Sequence, residues 1–171
     1  MKYKILALIT PLVFALDQLT KALIRADLDL GERVSVIGGY LDIVHFTNYG
    51  AAFGILSNLK DSIRTPFFYG VSVLAVVIIF VMFAKLKRSS VYLPVVFSLI
   101  LGGIFGNLTD RIRFGEVTDF ISVHIRDAAV SLPIIGLVRL EWPAFNIADS
   151  AITIAVILIL IGAIFFKEER S

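Results

Sequence analysis

The chain has no cysteine. Disulfide staples, thiolate nucleophiles and Cys-built metal sites are therefore excluded. Its two histidines, His45 and His124, are too few for a His-built metal centre, and no H-E-x-x-H pair occurs. There is also no G-x-S-x-G motif and no histidine inside an apolar run, which argues against a serine–histidine intramembrane protease. The net charge of +2 is too small an excess to suggest a nucleic-acid partner. The expectation is a protein without metal or cofactor.

What remains is apolar. Of 171 residues, 58% are hydrophobic and the mean hydropathy is +0.90, which places the chain among integral membrane proteins. Four runs are long enough to cross a bilayer, at about 5–24, 67–84, 91–108 and 146–166. Lys2 and Lys4 ahead of the first run imitate a signal peptide, but Asp17-Gln18-Leu19-Thr20-Lys21 follows in place of a small-x-small cleavage site. The first run therefore reads as an uncleaved helix. The expected fold is an all-α polytopic membrane protein of four transmembrane helices, one domain over 1–171, with outer segments at 25–66 and 109–143. In the first of these, Val34 to Phe46 is rich in β-branched and aromatic residues around Gly38-Gly39, which reads as a small β-hairpin. Ser57 to Thr65 reads as a short polar helix ended by Pro66. Val117 to Ile125 is β-like.

Lys2, Lys4, Lys85, Lys87, Arg88, Lys167 and Arg170 all fall on the side of the two termini, in short tails and a tight loop. By the positive-inside rule both termini are cytoplasmic. The intramembrane polar residues then share one depth. Asp17 and Lys21 in the first span, Asn107 and Arg111 in the third, Asn146 and Asp149 in the fourth, and Asp119 just beyond the third all map to the outer boundary at 1.5 Å of rise per residue. A carboxylate in such a place needs a partner, a water-filled cavity or a job. Taken singly, these residues have plain readings. Asp17 and Lys21 are an i,i+4 ion pair with the lysine snorkelling outward, Arg111 an interfacial arginine, and the histidines loop residues. Taken together, two boundary aspartates fit aspartyl proteolysis best, because paired carboxylates share a proton and supply one base and one acid. A proton-coupled carrier using Asp17 and Asp149 and a non-catalytic adaptor stay open as alternatives. A carrier would place its acids nearer the midplane.

Five blocks in order resemble the bacterial type II (lipoprotein) signal peptidases: Asp17-Gln18-Leu19-Thr20-Lys21, Asn48-Tyr49-Gly50-Ala51-Ala52-Phe53-Gly54, Gly102-Gly103-Ile104-Phe105-Gly106-Asn107-Leu108-Thr109-Asp110-Arg111, Val117-Thr118-Asp119-Phe120-Ile121 and Phe145-Asn146-Ile147-Ala148-Asp149-Ser150. The resemblance covers nearly the whole chain. It implies an aspartyl endopeptidase of the bacterial inner membrane, with Asp119 and Asp149 as catalytic dyad. Asn48, Asn107, Arg111 and Asn146 would orient the dyad or bind substrate, with Asp17, Lys21 and Gly50 in support. It implies a monomer among membrane lipids that cuts diacylglyceryl-prolipoproteins just before the lipid-modified cysteine. The outer hairpin would be the family's β-cradle, and Ser57 to Thr65 a mobile periplasmic helix gating the site. The stretch from His124 to Trp142 is longer than the family usually has. Its Leu132 to Leu137 is apolar enough to rest on the membrane surface.

Overall fold

A computed structural model describes residues 1–50, 60–87, 91–132 and 136–165. Four helices, α1 (Lys2–Asp27), α2 (Asp61–Lys85), α3 (Tyr92–Phe114) and α4 (Ile147–Phe165), are long and apolar enough to cross a membrane. Between α1 and α2 run strands β1 (Arg33–Ile37) and β2 (Leu41–Asn48), and between α3 and α4 run β3 (Val117–Leu132) and β4 (Gly136–Glu141). The strands form one antiparallel sheet in the order β1-β2-β3-β4. The β2–β3 pairing joins the two inter-helix segments, so both lie at one end of the bundle.

α3 is the central helix, packed against α1, α2 and α4. Its small residues make this possible. A Cβ on Gly106 would sit 2.5 Å from Asp17 Oδ2 and 3.2 Å from Ala148 Cβ, so only glycine lets α1 and α4 close on α3 at this level. Further down, Ile79, Phe83, Val96, Phe97, Leu101 and Ala155 form the apolar core. At the far end of the bundle the first residues of α1 close on the last turn of α2. Lys2 is buried, and its Nζ donates to the carbonyls of Phe83 (2.9 Å), Ala84 (3.0 Å) and Leu86 (2.8 Å). A cation thus satisfies carbonyls that the helix end leaves open, where the helix dipole favours it.

The hairpin turns where the Gly-Gly pair predicts. Tyr40 N donates to Ile37 O at 2.9 Å, and Gly39 takes φ +80°, which a side chain would strain. The sheet is larger than that hairpin, however. The β2–β3 pairing sets Asn48 opposite Val117 and Phe46 opposite Asp119. β4 pairs back on β3 with Leu132 opposite Gly136. Leu132 and Gly136–Leu137 therefore belong to a strand pair, where backbone pairing gives the apolar residues a partner; 133–135 lie outside the described residues. His45 and His124 sit in β2 and β3, not in loops. His45 Nδ1–H donates to Leu28 O at 2.8 Å.

Two helix limits differ from expectation. Pro66 does not end a helix; it lies inside α2, which begins at Asp61. In the second turn proline forfeits a single backbone bond, and the long apolar helix tolerates it. The expected short helix loses Thr65 and its neighbours to α2, while its beginning, 57–59, lies outside the described residues, as do Ala51 to Gly54. α3 runs on through Asp110 and Arg111 to Phe114, because these charges have partners inside the protein.

Candidate active site

The chain enters α4 along β3. Phe145 N donates to Ile121 O (3.0 Å) and Ile121 N to Phe145 O (2.8 Å). This brings Asn146, fully buried, against Asp119. Asn146 Nδ2 donates to Asp119 Oδ1 at 2.8 Å and lies 3.2 Å from Asn107 Oδ1. The same residue caps α4. Asp149 N donates to Asn146 Oδ1 at 3.0 Å, and Asn146 N donates to Asp149 Oδ2 at 3.2 Å. This is a reciprocal capping box with Asn in the cap position and Asp three residues on. One asparagine therefore holds both aspartates, Asp119 by its side chain and Asp149 by its backbone.

The other carboxylate oxygens are also held. Asn107 Nδ2 donates to Asp149 Oδ1 at 2.8 Å, and Asn48 Nδ2 to Asp119 Oδ2 at 3.1 Å. Asn48 Oδ1 in turn accepts Gly50 N at 2.9 Å. Asp119 and Asp149 open onto one cavity of about 520 Å³, together with Asn48, Gly50, Asn107 and Arg111. Trp142, Pro143 and Phe145 form one wall, and Ile152, Thr153 and Ile154 continue it down α4. The Arg111 guanidinium stacks 4.5 Å from the Phe68 ring, and its Nη2 donates to Gly50 O at 3.2 Å. Burial, and next the charge of Asp149, push the Asp119 carboxyl up from 3.8 to about 7, against the hydrogen bonds from Asn48 and Asn146.

Asp17 and Lys21 are not on the cavity. Lys21 does not snorkel; it is fully buried and points inward, 2.9 Å from Asp17 Oδ2 and 3.1 Å from Asp110 Oδ2. Two carboxylates and the Asn107 amide oxygen take up the lysine's donors in place of water. Asp17 also accepts the N–H of Ala148. Sequence reasoning gave no role to Asp110, Gln18, Arg25 or Thr118. Asp110 carried a usable signal: it lies three residues after Asn107 and so on the same helix face. Among the described residues no group of His, Asp and Glu has the arrangement of a metal site.

The comparisons with known proteins agree with one another. The family model for signal peptidase (SPase) II matches residues 9–165. The chain is 42% identical to the lipoprotein signal peptidase of Syntrophotalea carbinolica over 161 residues, 94% of this chain and 91% of that one. To the lipoprotein signal peptidase of Syntrophus aciditrophicus it is 40% identical over 168 residues, 98% and 97% of the two chains. A bacterial membrane enzyme solved by the in meso method at 2.3 Å resolution superposes with a TM-score of 0.79 at 33% identity, covering 97% of this chain and 91% of that one.

Proposed function

Because this chain belongs to the signal peptidase II family, we propose that it is an aspartyl endopeptidase that removes signal peptides from prolipoproteins, cutting before the diacylglyceryl-modified cysteine. The observation that carries the reading is the position of Asn146, bonded to both Asp119 and Asp149, whose side chains line one cavity. Two largely buried carboxyl groups, one of whose charges raises the pKa of the other, resist double ionisation, and their apparent pKa values belong to the pair.

We assign Asp119, whose carboxyl is pushed up to about 7, as the acid of the pair and Asp149 as the base. Asp149 takes a proton from a water molecule, whose oxygen attacks the scissile carbonyl carbon. Asp119 donates its proton to the carbonyl oxygen, giving a neutral gem-diol. The proton on Asp149 passes to the leaving nitrogen as the C–N bond breaks, and a gem-diol proton returns to Asp119. The products are a free α-amino group on the lipidated cysteine and a carboxyl-ended signal peptide. Asn48 holds the Asp119 carboxylate and Asn107 that of Asp149. Arg111 and the Gly50 carbonyl, which line the same cavity, offer a donor and an acceptor to the substrate backbone. The apolar slot beside Ile152 and Ile154 suits the signal helix. The dyad lies around the first turn of α4, where a lipid-tethered cysteine at the bilayer surface would present its peptide bond. In this reading the protein is a monomer of the inner membrane with both termini in the cytoplasm.

Purified protein in lipid-containing micelles, given a lipidated precursor, tests the reading. Asp119→Asn and Asp149→Asn should each abolish cleavage while the protein stays folded. Substantial turnover by either variant refutes the dyad.

A further inference from the structure

Behind the dyad lie two more carboxylates, and neither faces the cavity. Asp17 on α1 and Asp110 on α3 are fully buried, with the fully buried Lys21 between them. Lys21 Nζ pairs with both, and Gln18 Nε2 makes a second bridge, donating to Asp17 Oδ2 at 3.2 Å and to Asp110 Oδ1 at 3.1 Å. Each carboxylate also holds a backbone group. Asp17 Oδ1 accepts the N–H of Ala148 at 2.9 Å, and Asp110 Oδ2 accepts the N–H of Thr118 at 3.2 Å. Ala148 and Thr118 are the residues directly before Asp149 and Asp119.

We propose that Asp17, Lys21 and Asp110 form a clamp that fixes the separation of Asp119 and Asp149, each carboxylate gripping the chain one residue upstream of one member of the pair. The proposal rests on the dyad reading and makes Asp110 and Lys21 positioning residues. The charges are costly to bury. Their retention fits a demand for geometry, which buried ion pairs with full hydrogen bonding can meet. Asp17 is also well placed electrostatically, because the N–H groups at the start of α4 attract a carboxylate. Lys21 adds a third constraint. Its Nζ donates to Asn107 Oδ1 at 2.8 Å, so the amide must turn its nitrogen toward Asp149.

The test is Asp110→Asn, which keeps shape and an acceptor for Thr118 but removes the charge that pairs with Lys21 and, at 3.8 Å, with Arg25. With the full-length protein and a lipidated precursor, kcat should fall about 10- to 100-fold, the order expected for a displaced reacting group, with KM changed less than about 2-fold. The pH–rate bell should also narrow, since carboxylates held less closely split their apparent pKa values less. An unchanged kcat, or a loss that follows the folded fraction while both pH limbs stay in place, overturns the clamp. Should Asp110→Asn fail to fold, Gln18→Leu removes the second bridge and leaves Lys21 paired. It should lower kcat about 3- to 10-fold with the same narrowing, and wild-type kcat and limbs there overturn the proposal. Asp119→Asn and Asp149→Asn run alongside. Activity in either sinks the dyad reading itself, whereas two inactive dyad variants beside an unaffected clamp variant sink only the clamp.

Discussion

Replacing Asp119 by asparagine should change how the stability of the protein responds to pH. Burial, then the Asp149 charge, raise this carboxyl from 3.8 to about 7. Between those values the unfolded chain has lost the proton and the folded chain keeps it, so stability falls as pH rises. The contribution is complete below about pH 4 and gone above about pH 7, with a slope of about 1.4 kcal/mol per pH unit between. Over some three units the sum is at most about 4 kcal/mol. Asp119 is only 3% exposed, so solvent screening takes little from this figure. The amide of the Asp119→Asn variant cannot ionise, so the variant lacks the slope. It carries a pH-independent penalty of about 1 kcal/mol, because the new amide would face the Asn48 amide now donating to Oδ2. The slope, not the offset, is therefore the measurement. Unfolding of both proteins in micelles, stepped from pH 4.5 to 8, should show the variant gaining on the wild type up to about pH 7 and no further above it. Parallel curves, or a variant that loses ground as pH rises, would refute the assignment of the raised carboxyl to Asp119.

Three further outcomes follow from the same geometry. Cleavage by the wild type should decline above about pH 7, where Asp119 gives up the proton it must donate, and a rate flat to about pH 9 would speak against it as the acid. Gly106→Ala should destabilise the protein by about 1–3 kcal/mol and lower activity, since the new methyl meets Asp17, itself held by Lys21; detergent-titrated unfolding reads the first effect. Lys2→Met should cost about 1–2 kcal/mol through the three uncapped carbonyls at the end of α2 while leaving turnover per folded molecule unchanged, as it acts at the opposite end of the bundle.

The four apolar runs were legible because the bilayer sets a minimum length that a linear sequence displays directly. The aspartates were legible because a carboxylate at that depth demands a reason, and two at one depth suggest a shared one. The turn at Gly38-Gly39 was legible from local backbone chemistry. Pairings between distant residues were not. Asp110 and Arg111 look like the exit of a helix from lipid, yet α3 runs past both, because Lys21 and the Gly50 carbonyl receive them. Lys21 looks like a snorkelling residue and turns inward, since only the folded bundle brings Asp110 from 89 positions away to meet it. The β3–β4 hairpin likewise needs a partner strand that an apolar stretch does not announce.

Hydropathy and residue type alone determined that the chain crosses a membrane and gathers carboxyl groups near one end of its helices, since both depend on properties each residue has by itself. The tertiary structure decided which oxygen accepts which proton donor, because hydrogen bonds and ion pairs are matters of ångströms between α1, α3, β3 and α4.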